Sequence, residues 1–170
     1  MGNYGTRRLI MSQPRQSPIV CCDEGLYEIT LLDAERALIA KLMAELAELV
    51  EDDSQADMLT RLFPTALPND PEAEAEFQDM VRRELIATRI ERFKNTTNTA
   101  QEGVLNREQL EDWMGAVNDV RLVLGTQLDI NQQEDIEELD ADDPNAMAQS
   151  AYWFFGWLLE HIVATLANEP

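Results

Sequence analysis

Basic residues stop at Arg121: beyond it the chain has no Lys or Arg, while ten acids follow between Asp129 and Glu169. Over the whole sequence 33 acids face 13 bases, a net charge of −20. A surface of that sign repels phosphate backbones, so direct binding to bare DNA is disfavoured unless a partner assists. It suits a basic protein surface, or simply solubility, and a solvated acidic face is the plainer reading. Cysteine is as scarce. Cys21 and Cys22 are the only two and are adjacent, which excludes a disulfide framework. Neighbouring α-carbons lie about 3.8 Å apart across a trans peptide, short of the ~4.4 Å that disulfides usually need. In a strand their thiols point to opposite faces. One buried and one exposed thiol is therefore the expectation.

His161 is the only histidine, and no Ser or Cys is tied to it by spacing, so no nucleophile or catalytic residue is assigned. The sequence has no metal-type Cys/His spacing, no glycine loop to cradle phosphate and no isolated carboxylate pair. Neither a metal nor another cofactor is expected. The acidic run "DINQQEDIEELDADD" places oxygens at Asp129, Asn131 and Gln133 like the start of a calcium loop. Glu134 stands where such a loop needs Gly, and Asp140 where it needs a bidentate Glu. A short amphipathic helix burying Ile136 and Leu139 explains the run more simply. No apolar run is long enough to span a bilayer.

The start "MGNYGTRRLIM" resembles a myristoylation signal and a twin-arginine signal. The first lacks a second membrane anchor. The second lacks an apolar stretch, because "SQPRQSP" follows. Asn95 opens a glycosylation triplet with no secretory route. A cytoplasmic protein is expected.

What is present is mostly helix. Residues 1–18 read as a flexible polar arm, and 19–170 as one helical domain of a size that buries a sizeable core. "IVCC", "DEG" and "LYEITLL" make a hairpin whose three-residue loop places Gly25 in a left-handed conformation. Tyr27, Ile29 and Leu31 share one strand face. Asp33 is expected to cap a helix to about Val50, striped by Leu38, Leu42, Leu46 and Leu49 and widened by Ile39 and Met43. A short helix spans 55–62. Asp70 and Pro71 start a long one, with Glu72, Glu74 and Glu76 at its positive end. It should reach about Lys94 and bury Phe77, Met80 or Val81, Leu85 and Ile90. "NTTNTAQEG" reads as a loop. Asn106 and Gln109 form a capping box for a helix that Gly125 ends near 124. Segments 131–139 and 143–167 complete the set. The fold class is thus mainly α: a multi-helix bundle of five to six helices with an N-terminal β-hairpin.

Two features bear on sites. In "AVNDVRLVLG" the helical spacing puts Asn118, Asp119 and Arg121 at the flank of a core face formed by Trp113, Val117, Val120 and Leu124. A guanidinium there has to be paired. The cluster reads as structural, fixing how two helices meet. The basic stripe Arg82, Arg89 and Arg92 should likewise pair within the molecule, with the tail carboxylates as nearer competitors than nucleic acid. The last helix carries "AYWFFGWLL", apolar on every side, which indicates a central core helix. A homodimer or partner groove built on Trp153 and Trp157 is the second reading.

"WMGAVNDVRLVLGTQLDI", with "RLFPTALPNDPEAEAEF" and "YEITLLDAERALIAKLMAELAELV", resembles an actinobacterial family of helical proteins known as a domain of unknown function. The likeness spans roughly residues 26–166. Members of the AosR type are oxidative-stress transcriptional regulators, which sense oxidation through a cysteine pair and work with an alternative sigma factor of RNA polymerase. The resemblance therefore implies a non-enzymatic regulator acting through protein contacts, with sigma factor or RNA polymerase as partner and Cys21 and Cys22 as redox candidates. The family's sensing cysteines are separated along the chain, whereas here they are vicinal. The alternatives are an acidic adaptor module without a redox or transcriptional role, and an enzyme gathering His161, Arg121 and carboxylates in a pocket.

Overall fold

A computed structural model describes residues 16–22, 25–52, 57–130 and 143–168. Strands β1 (Ile19–Cys21) and β2 (Tyr27–Ile29) precede helix α1 (Asp33–Asp52) and the 29-residue α2 (Pro71–Thr99). A third strand, β3 (Val104–Leu105), leads into α3 (Arg107–Gln127), and α4 (Ala146–Ala167) follows. The described residues thus form four helices and a small three-stranded sheet, not five to six helices with a hairpin alone. Residues 57–62 form turns, closed by the Leu62 and Phe63 amides on the Leu59 carbonyl. Pro64 follows too soon for a helix to propagate. The segment expected at 131–139 lies outside the described residues.

The sheet is antiparallel throughout, in the order β1-β2-β3. Ile19 pairs with Ile29 and Cys21 with Tyr27, and the Cys22 amide donates to the Leu26 carbonyl at 2.7 Å. Gly25 has φ +71°, the left-handed conformation that the loop requires. Tyr27, Ile29 and Leu31 are buried, while Glu28 and Thr30 are exposed. β3 pairs Leu105 with Tyr27. Two residues carry too little periodicity to announce a strand, and only the waiting edge of β2 makes them one.

Helix starts follow local chemistry. Asp70 Oδ1 accepts from the Ala73 amide at 3.1 Å with Pro71 in the first turn, and Asn106 with Gln109 closes a reciprocal box. At α1 the expectation shifts by one residue. Asp33 is the first helical residue, and Glu35 accepts from the amide of Leu32, which holds the capping position. The carboxylate of Glu74 accepts from the Gln78 side chain at 2.7 Å and from the Ala66 and Leu67 amides, tying down the preceding loop. These hydrogen bonds, the one from Gln78 foremost, hold its carboxyl below the ordinary Glu range despite some opposing desolvation. For a lowered acid the contribution is present above the unfolded-state value and is lost as pH falls through the folded-state one. Acidification should therefore release the Ala66 and Leu67 amides, seen as pH-dependent NMR shifts that Glu74→Gln removes.

α3 runs two residues beyond Gly125. It ends in a paired motif: the Asp129 amide donates to the Thr126 carbonyl and the Ile130 amide to the Gly125 carbonyl. Asp129, at φ 54°, occupies the left-handed position where Gly is preferred. Asp129→Gly is expected to raise stability by about 0.5–1 kcal/mol, read as a higher urea midpoint with an unchanged slope.

Tertiary packing overrides the sequence pattern in three places. On α1 the fully buried line is Ile39, Met43, Leu46 and Val50, with Leu38, Leu42 and Leu49 only half-buried. α2 continues through the expected loop to Thr99, with the Thr97 and Thr99 hydroxyls donating to the Phe93 and Asn95 carbonyls. Its first half projects beyond the core, so Phe77, Met80 and Leu85 are exposed, while Ile86 and Ile90 pack against it. α3 is the helix with the most extensive buried face and packs against α1, α2 and α4.

Candidate functional site

The polar residues of α3 divide between its two neighbours. Asp119 is buried and forms an ion pair with Arg89 of α2, with Arg92 at 3.9 Å behind it. Arg89 also donates to the Leu62 carbonyl at 3.1 Å and lies over the Phe63 ring, as does Arg82. Arg92 reaches Asp112 at 3.8 Å. It occupies the space in front of Gly115, where a Cβ would come within 2.7 Å of the guanidinium. Burial pushes the Asp119 carboxyl above the ordinary Asp range, against the opposite pull of Arg89 and Arg92. Arg121 points the other way, to α4. Its guanidinium sits 5.0 Å from the Tyr152 ring centroid and donates to Tyr152 Oη at 3.2 Å. Gly156 leaves it room, since a Cβ there would lie 3.4 Å from Arg121 Nε. Asn118 is half-buried beside them. The expected single cluster is therefore two separate helix–helix fastenings. Of the α2 stripe, Arg89 and Arg92 pair with the α3 carboxylates Asp119 and Asp112, while Arg82 lies over the Phe63 ring.

α4 is not a central helix. Ala151, Tyr152, Phe155, Leu158 and Ile162 face inward, while Trp153 is 41% exposed and Phe154 and Trp157 are half-buried. Phe154, Trp157 and His161 form a continuous ring row, with centroid separations of 6.0 and 5.0 Å. His161 Nδ1 lies 2.8 Å from the Trp157 carbonyl. A carbonyl only accepts, so Nδ1 carries the proton.

Cys21 and Cys22 are both exposed and unbridged, contrary to the expectation of one buried thiol. Cys21 ends a three-residue strand, so the inward face of β1 closes with Ile19 and Cys21 opens into a groove of about 350 Å³ between β1 and α4. His161 and Thr165 line the same groove; Arg121 does not. A second groove, about 230 Å³, is walled by Leu42, Leu46, Leu49, Met58, Val123 and Leu124. It has room for a side chain or two, below the roughly 300 Å³ of small-molecule sites. Among the described residues no group of three or more His, Cys, Asp or Glu could hold a metal ion. The 131–142 part of the acidic run lies outside them. No described helix is long and apolar enough to cross a membrane.

The segments that resemble a helical family can now be set against family models. The model described as Domain of unknown function (DUF2017) matches residues 18–166. The chain belongs to this family. The match begins before the hairpin rather than within it and runs through the sheet and helices α1 to α3 to within one residue of the end of α4. No curated protein and no solved structure matches the chain.

Sequence reasoning missed the half-exposed aromatic row of this DUF2017 chain. The signal was there: Phe154, Trp157 and His161 fall at i, i+3 and i+7, along one helix face.

Proposed function

We propose that this DUF2017 domain is a non-enzymatic cytoplasmic regulator that works by protein–protein contact. One observation carries the reading: guanidinium groups are turned inward while aromatic surface is turned outward. Arg36, Arg61, Arg89 and Arg121 are committed to carbonyl, carboxylate and hydroxyl oxygens of the fold itself. The exterior is predominantly acidic, although Lys41 and Arg107 are also exposed, and Trp153 stands out on α4 as an aromatic anchor of the kind that interfaces favour. A basic protein surface complements such an exterior, and the family resemblance points to an alternative sigma factor or RNA polymerase.

A redox-responsive form of this reading rests on the two exposed thiols at the hairpin. It separates from a plain adaptor by experiment. The full chain is used as bait for purified RNA polymerase and sigma factor at low and moderate salt, before and after peroxide. Binding that changes on oxidation, and no longer does so in Cys21→Ser/Cys22→Ser, supports the stress-regulator reading. Oxidation-independent binding leaves the adaptor. Failure to bind either protein in any condition sinks the transcriptional assignment.

A further inference from the structure

We propose that residues 1–15 of this chain dock in cis on the groove between the start of α1 and α4. The groove, about 200 Å³, is lined by Gln16, Pro18, Thr30, Leu32, Glu35 and Trp157. Leu32, at the β2–α1 junction, is 68% exposed, a large aliphatic side chain held in solvent at the rim of an aromatic wall. Three carboxylates surround the groove, and the nearby cation Arg36 is held by the Ile29 and Leu31 carbonyls. Glu35 lines the groove, Glu28 shares a strand face with Thr30, and Glu160 stands three residues past Trp157 on α4.

The segment "MGNYGTRRLIMSQPR" has the complementary chemistry. It carries Arg7, Arg8 and Arg15 and no acid, so all 33 acids of the chain lie beyond it. Leu9, Ile10 and Met11 are its apolar patch, directly after the two arginines. It joins the fold at Gln16, which itself lines the groove. Leu9 to Met11 lie five to seven residues from that junction, a reach of roughly 16–25 Å when extended. Tethering at the groove's edge gives an effective concentration on the order of millimolar, so a weak contact suffices. Arginine over the indole face adds to the apolar contact. The docking goes beyond the regulatory reading and does not depend on it.

The test uses the full chain with Trp153→Phe, which leaves Trp157 at the groove and Trp113 in the core as fluorophores. Acrylamide quenching reports how well Trp157 is shielded. Arg7→Glu/Arg8→Glu should raise the quenching slope about twofold at low salt, and about 0.5 M salt should bring the parent chain towards the variant's value. A synthetic peptide of residues 1–15 should restore shielding to the variant, and a scrambled peptide should not. Leu32→Lys, which removes the apolar rim and adds a like charge to the groove while leaving the segment intact, should match the charge reversal. Equal slopes for parent and both variants overturn the proposal. So does shielding that appears only as the chain dimerises, because the segment then docks on a second copy.

Discussion

Asp119→Ala is expected to lower the unfolding free energy by about 3–5 kcal/mol, the cost of removing one member of a buried ion pair. The carboxylate is 3% exposed and stands between Arg89 and Arg92 on the neighbouring helix. Deleting it strands Arg89, whose side chain is largely enclosed and whose one other hydrogen bond shown goes to the Leu62 carbonyl. The pair is not itself a source of large net stability. Burial holds the Asp119 carboxyl above its ordinary range. For a raised acid, the contribution is fully present below the unfolded-state value and is lost as pH rises through the folded-state one. At neutral pH the ionised pair therefore offsets its own desolvation incompletely, and the loss in Asp119→Ala comes from the stranded cation. The double variant Arg89→Met/Asp119→Ala, which removes both charges, should recover at least half of the deficit. Urea denaturation of the two variants beside the parent decides it. A double variant as unstable as the single one would place the energy elsewhere.

Trp113→Ala should cost about 3–5 kcal/mol, as large aromatic truncations in closed cores do. Trp113 is fully buried at the junction of α2 and α3, and its indole N–H donates to Thr99 Oγ1 at 2.8 Å. Trp113→Phe keeps most of the ring volume and should cost only about 1–2 kcal/mol, because the Thr99 hydroxyl still donates to the Asn95 carbonyl at 2.8 Å. The contrast also tests why α2 continues past Lys94. If Trp113 anchors the Thr96–Thr99 turn, then amide protection there falls in the alanine variant before global unfolding.

That turn illustrates why parts of the fold were hidden from sequence reasoning. "NTTNT" has weak helix propensity, since Asn and Thr side chains compete for backbone hydrogen bonds. Here the competition is resolved within the helix: Thr97 and Thr99 donate to carbonyls four residues back, and burial against Trp113 secures the turn. Phe77, Met80 and Leu85 err in the opposite direction. Helical spacing marks them as a buried stripe, yet the first half of α2 extends past the elements that could cover it. The candidate site behaves the same way. Asn118, Asp119 and Arg121 stand out by sequence as polar residues in an apolar helix, but which helix Asp119 and Arg121 meet depends on side chains 27 to 31 residues away.

The sequence by itself determined what depends on neighbours within about four positions. The Asp70–Pro71 and Asn106–Gln109 helix starts, the Gly25 turn and the Tyr27–Ile29–Leu31 face are set by local hydrogen bonds and by strand alternation. Only the tertiary structure decided the buried line of α1, the pairing of β3, the separation of Asp119 from Arg121 and the outward aromatic row of α4. Burial is a property of two surfaces brought together. A pattern along one helix specifies an apolar face, but the partner's extent decides how much of that face is covered.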